Sequence, residues 1–131
     1  MREILFRGKR TDNGEWMFGN LTIWGDGGTS IDEEPYEGSP LYEVDTETIG
    51  QFTGIHDKNG NRIFEGDIIA GALFCFENPK NGIVTYRDGS FGLLWHRGDA
   101  EQFNPFTSMC NVTYEVIGNI HDNHKIMEGE G

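Results

Sequence analysis

The chain lacks most of what marks an exported or membrane-bound protein. Its 131 residues include 2 cysteines, Cys75 and Cys110, and they form no C-x-x-C pair. Such a pair is more often reduced and buried than bridged when no export signal accompanies it. No apolar run approaches the roughly 20 residues needed to cross a bilayer. The N-terminal MREILFRGKR carries an apolar stretch too short for a signal peptide. These absences point to the cytoplasm, of its own cell or of a host. Positive charge is scarce: Lys and Arg number 10 against 22 Asp and Glu, for a formal net charge of −12. That balance disfavours nucleic-acid phosphates and anionic membranes, and suits a cationic partner. Proline is sparse at 4 residues, whereas glycine reaches 19, which argues for many tight turns. Sustained helical periodicity is missing throughout.

What is present reads as short extended segments. Residues 2–23 form a hairpin pattern around the turn Thr11-Asp12-Asn13-Gly14. In its return strand Trp16 and Phe18 share one face, and Met17, Leu21 and Ile23 the other. Apolar residues on both faces call for cover on both, from this fold or from a neighbouring chain. Residues 25–47 change character. Asp32, Glu33, Glu34, Glu37, Glu43, Asp45 and Glu47 occur there with no Lys or Arg, and Pro35 and Pro40 oppose a helix. The expectation is an irregular acidic loop ending in a short strand near Leu41–Val44.

The stretch TIGQFTGIHDKNGNRIFEGDII (48–69) holds a second turn signal at Lys58-Asn59-Gly60-Asn61, expected as a two-residue hairpin turn. It continues into IIAGALFCF, a run that fits a strand buried on both faces. Within GIVTYRDGSFGLLWH, Asp88-Gly89 separates two alternating segments, the clearest hairpin in the chain. Residues 97–109 suggest loop or a helical turn, 113–120 a last strand, and the remainder a tail. Seven to nine strands with almost no helix make an all-β domain, either a small barrel or two packed sheets.

Three segments, RGKRTDNGEWMFGNL, TIGQFTGIHDKNGNRIFEGDII and YEVIGNIHDN, together resemble the YopX family of phage and prophage proteins. The resemblance implies a mainly β fold: an SH3-like barrel around the EGDI strand, with an N-terminal hairpin packed on it and only minor helical turns. It implies one domain over 1–131, with hairpin and acidic loop in 1–47, barrel core in 48–122 and tail in 123–131. It also implies phage or prophage origin and homo-oligomeric assembly. It carries no established activity, so no catalytic residue transfers.

The residues themselves favour scaffold over chemistry in the central stretch. Gly66 can take a backbone conformation that a Cβ forbids, and Asp67 can accept backbone N–H groups at the bend. Two His-Asp pairs, His56-Asp57 and His121-Asp122, the second followed by His124, are the candidates for a divalent metal. No helix bearing further ligands accompanies them, so neither a metal nor any other cofactor is assigned, and a metal-dependent hydrolase stands as the alternative. Arg7, Lys9 and Arg10 near Trp16 form the one basic-aromatic cluster, the basis of a rival nucleic-acid-binding barrel that the overall charge disfavours. The candidate partner-binding residues are Asp32, Glu33, Glu34, Tyr36, Glu37 and Tyr42. Their carboxylates could dock on a basic host protein where DNA phosphates would otherwise lie. The plainer alternative is a solvated loop.

Overall fold

The computed structural model describes residues 3–33, 40–70, 81–106 and 114–123. The chain is all-β, with two antiparallel sheets and no α-helix among the described residues. It divides into two compact units, Met1–Gly54 and Ile55–Gly131. One sheet runs β4-β3-β2-β1-β5-β6 and the other β10-β9-β8-β7-β11.

Unit 1 begins with the expected hairpin. Strands β1 (Phe6–Lys9) and β2 (Trp16–Ile23) pair from Phe6↔Gly19 to Lys9↔Trp16. Gly14 closes the turn at φ 74°, and its N–H donates to Arg10 O at 3.0 Å. The described part of the acidic segment contains β3 (Thr29–Asp32), expected as loop, as well as β4 (Tyr42–Val44). β3 pairs with β2 on one side and β4 on the other. The sheet then curls until β4 meets the end of β1. Thr11 N–H donates to Glu43 O at 3.1 Å, and Asp45 N–H donates to Lys9 O at 2.8 Å. Gly8 permits this approach, since a Cβ there would lie 3.1 Å from the Val44 side chain. Met17, Ile31 and Val44 fill the interior, flanked by Phe6, Leu21, Tyr42 and Ile49. Asp45 caps a 3-10 turn at Thr46–Thr48 by accepting Glu47 N–H at 3.1 Å. β5 (Gly50–His56) follows and pairs with β1.

Unit 2 is organised by the EGDI turn. β6 (Arg62–Phe64) leads through Glu65 and Gly66 into β7 (Asp67–Ile69). Gly66 sits at φ 90°, where a side chain is strained. Its N–H donates to Val84 O at 2.8 Å, and its carbonyl accepts Ile120 N–H at 2.9 Å. Both backbone groups of one glycine thus join flanking parts of the sheet. The buried Asp67 carboxylate accepts Phe64 N–H at 2.8 Å, as its position in the bend suggested. β8 (Gly82–Arg87) and β9 (Ser90–Arg97) form the expected Asp88-Gly89 hairpin, paired from Ile83↔Leu94 to Arg87↔Ser90. β10 (Ala100–Pro105) occupies residues expected as loop, and β11 (Val116–Asn119) is the last strand. β10 and β11 lie at opposite edges of their sheet, which is open among the described residues. Ile63, Ile69, Val84, Leu93, Phe106 and Tyr114 form the core. Full burial of each aliphatic member contributes about 1.5–3 kcal/mol relative to exposure.

The Asp57-Lys58-Asn59-Gly60 turn departs from the two-residue expectation. Asp57 N–H donates to Asn61 O at 2.8 Å and Gly60 N–H to Asp57 O at 3.0 Å. With Gly60 at φ 84°, this is a three-residue hairpin loop with a left-handed glycine. Most of IIAGALFCF, both cysteines and the tail beyond Asn123 lie outside the described residues.

Candidate functional site

An open groove of about 560 Å³ lies in unit 1, where the curled sheet brings the end of β1 to β4. Lys9, Arg10 and Thr11 form one wall. Glu43, Val44, Asp45 and Thr46 form the other, with Thr29 beside them. Thr11 Oγ1 ties the walls together by donating to Glu43 Oε1 at 2.8 Å, and on the second side Thr29 Oγ1 donates to Val44 O at 3.1 Å. Thr29 Oγ1 also shares a 2.9 Å hydrogen bond with Thr46 Oγ1.

The electrostatics are lopsided. Arg10 binds Asp12 through two hydrogen bonds, 2.9 Å from Nε and 2.6 Å from Nη2. Those bonds hold the Asp12 carboxyl below its ordinary range and raise the guanidinium above its own. Arg10 also stacks 4.3 Å from the Tyr42 ring centroid. Its charge is therefore answered within the chain. Glu33, Glu43, Asp45 and Glu47 are exposed, and among the described residues they form no ion pair.

Of the candidate partner-binding residues, Asp32 ends β3 half-buried, and Glu33 follows it exposed. Gly19 lets their backbone pass close to β2, because a Cβ there would strike the Asp32 carbonyl and lie 2.9 Å from Glu33 Cα. Tyr42 is half-buried in β4, packed on the core and under Arg10. Glu34, Tyr36 and Glu37 lie outside the described residues. Sequence reasoning missed the groove and the part played by Arg10. The RGKR signal was visible, but nothing local announced that β4 would lie beside it.

Within the basic-aromatic cluster, Arg7 is buried, and Lys9, Arg10 and Trp16 are half-buried. Arg7 is 7% exposed, with its guanidinium 4.7 Å from the Trp16 centroid. Lys9 Nζ lies 5.4 Å from the same centroid. Two cations thus lie against one indole.

Asp57 has a structural task. It is 6% exposed. Oδ1 accepts Asn59 N–H and Asn61 N–H, each at 2.9 Å. Oδ2 accepts Asn61 Nδ2 at 3.3 Å and Val116 N–H at 3.1 Å. A carboxylate has about four lone-pair positions, and these donors take them all. Burial pushes the pKa of this carboxyl up, but the N–H donors together outweigh it and hold the group below its ordinary value. His56 is exposed at the end of β5. His121 and Asp122 belong to a turn organised by Asn119, whose Oδ1 accepts their N–H groups at 3.0 and 2.9 Å. Asn119 Nδ2 donates to Asp122 Oδ2 at 3.1 Å. His124 lies outside the described residues. Among the described residues no three His, Cys, Asp or Glu side chains are grouped to hold a cation.

The family described as YopX protein matches residues 5–128 of the 131. The chain belongs to the YopX family. The crystal structure of protein EF1440 from Enterococcus faecalis is similar to this YopX-family chain at 26% identity and a TM-score of 0.55, covering 97% of this chain and 99% of that one. No curated protein matches. Among the described residues no helix is long and apolar enough to cross a membrane.

Proposed function

We propose that this YopX-family chain is a non-enzymatic interaction module of phage or prophage origin. It works in the host cytoplasm, assembles with copies of itself and engages a basic host protein through the acidic segment 32–47. One observation carries this: the exposed carboxylates Glu33, Glu43, Asp45 and Glu47 have no ion pair among the described residues, while Arg10 beside them is neutralised by Asp12. Uncompensated charge of one sign steers an oppositely charged protein, and salt weakens the encounter over a Debye length of about 8 Å. The backbone bonds of Asp57 and Asp67 support a scaffold role for the central stretch. Self-association draws support from exposed apolar side chains in unit 1, among them Ile23 at 70%, Ile4 at 59% and Trp24 at 47% exposure.

A pull-down from host lysate with graded salt tests the binding half. A basic protein should be recovered at low salt, fade as salt rises and be displaced by added DNA. Recovery indifferent to both salt and DNA overturns it. Light scattering tests the other half, since a monomer at micromolar concentration contradicts assembly.

A further inference from the structure

The sequence contains three Asn-Gly pairs, Asn13-Gly14, Asn59-Gly60 and Asn81-Gly82. Asn-Gly is the dipeptide most open to spontaneous deamidation, because glycine puts no side chain in the way of its own nitrogen. The structure sets the pairs apart. Asn13 Oδ1 accepts Glu15 N–H at 2.9 Å, which fixes its side-chain torsions. Asn81 is half-buried and Gly82 buried, in a strand paired with Ile69, where even a Cβ at Gly82 would press on Leu93 at 3.1 Å. Asn59 differs from both. It is exposed at the tip of the hairpin loop, and among the described residues its side-chain amide makes no hydrogen bond, while its backbone N–H donates to Asp57 Oδ1. Its neighbour Gly60 is exposed too, at φ 84°.

We infer that Asn59 is a deamidation site, and that its conversion to isoaspartate loosens the tie between the Asp57 turn and β11. The backbone nitrogen of Gly60 attacks the side-chain carbonyl carbon of Asn59. The new C–N bond closes a succinimide, and ammonia leaves with the proton that Gly60 nitrogen gives up. Water then opens the ring at either carbonyl, giving aspartate or isoaspartate. The net change is amide plus water to acid plus ammonia, without oxidation. One feature of the fold slows the first step: Gly60 N–H donates to Asp57 O at 3.0 Å, so the turn must open before the nitrogen can attack.

Isoaspartate has a structural consequence that aspartate lacks. It routes the main chain through the side-chain carbons and lengthens a three-residue loop. That loop positions the Asn59 and Asn61 N–H groups on Asp57 Oδ1, and the other oxygen of the same carboxylate holds Val116 N–H at 3.1 Å. Lys58 N–H donates to Tyr114 O at 2.9 Å from the same loop. A longer loop displaces these donors together, so damage at Asn59 reaches a strand that is remote in sequence.

The test is peptide mapping of the full chain aged in mildly alkaline buffer, with isoaspartate scored at each Asn-Gly pair. Isoaspartate should accumulate first at residue 59. Earlier or equal accumulation at 13 or 81 overturns the site. The aged fraction is then compared with fresh chain by hydrogen exchange. Faster exchange at Lys58 and Val116 is expected in the isoaspartate form, and not in the Asn59→Asp variant, which adds the charge without lengthening the chain. Unchanged exchange in the isoaspartate form, or equal acceleration in Asn59→Asp, overturns the link to β11. Asn59→Gln, which cyclises poorly, should age without the change in exchange.

Discussion

Replacing Asp57 by alanine should destabilise unit 2 far more than a turn residue normally does. The carboxylate serves three donors inside its own loop and Val116 N–H across 59 residues of sequence. Asn59 and Asn61 are exposed, so water replaces much of what their groups lose. Val116 is half-buried and Asp57 buried, so that bond is replaced poorly. A hydrogen bond to a charged group contributes about 1.5–3 kcal/mol. One such bond in full and the local ones in part give a loss of about 2–4 kcal/mol. The pH dependence supplies an independent check. The folded Asp57 carboxyl titrates below its ordinary value, so the folded state holds it ionised where the unfolded chain already binds a proton. Its stabilisation is full above the unfolded pKa of about 3.9 and is lost as pH falls through the lower folded value. Urea unfolding of wild type, Asp57→Ala and Asp57→Asn at neutral and acidic pH measures both effects. Both variants should be less stable near neutrality, and their deficit should shrink in acid. A loss below about 0.5 kcal/mol for Asp57→Ala, typical of an ordinary surface change, would refute the reasoning. So would a deficit that does not change with pH.

Gly66→Ala forces a Cβ into a left-handed conformation at φ 90° and should cost at least about 1–2 kcal/mol by urea unfolding. Gly19→Ala drives a Cβ into the Asp32 carbonyl, so overpacking of about 1–3 kcal/mol is expected, together with altered protease sensitivity where the acidic segment leaves β3. Leu93→Ala empties a fully buried site in unit 2 and should lower stability by about 2–5 kcal/mol. Asp12→Ala removes an exposed ion pair and should leave the unfolding midpoint essentially unchanged.

The parts of the fold that were legible in sequence are those fixed locally. Asp88-Gly89 and Thr11–Gly14 name their hairpins because the turn chemistry and the alternation beside it agree. Gly66 and Asp67 announced their bend because only glycine relaxes at that φ and a short carboxylate can reach the amide three residues back. β10 was missed because Ala100-Glu101-Gln102-Phe103-Asn104-Pro105 has little β propensity and ends in proline, which an edge strand tolerates. β3 was missed because Ile31 is its one aliphatic residue. Thr29 is buried there through its hydroxyl bond to Val44 O, which no local pattern reports. The groove depends on Arg10 bridging to Val44 and the Asp57 tie on Val116, both pairings between distant parts of the chain. The acidic composition was visible at once. That Asp12 silences Arg10 and leaves Glu43 and Asp45 uncompensated was not.

We have proposed that carboxylates of segment 32–47 attract a basic host protein. Parallel pull-downs with the wild-type chain and a Glu33→Lys, Glu34→Lys, Glu37→Lys variant, matched for folding by circular dichroism, address it most directly. The basic protein recovered by the wild type at low salt should be absent from the variant. Equal recovery by both chains would contradict it.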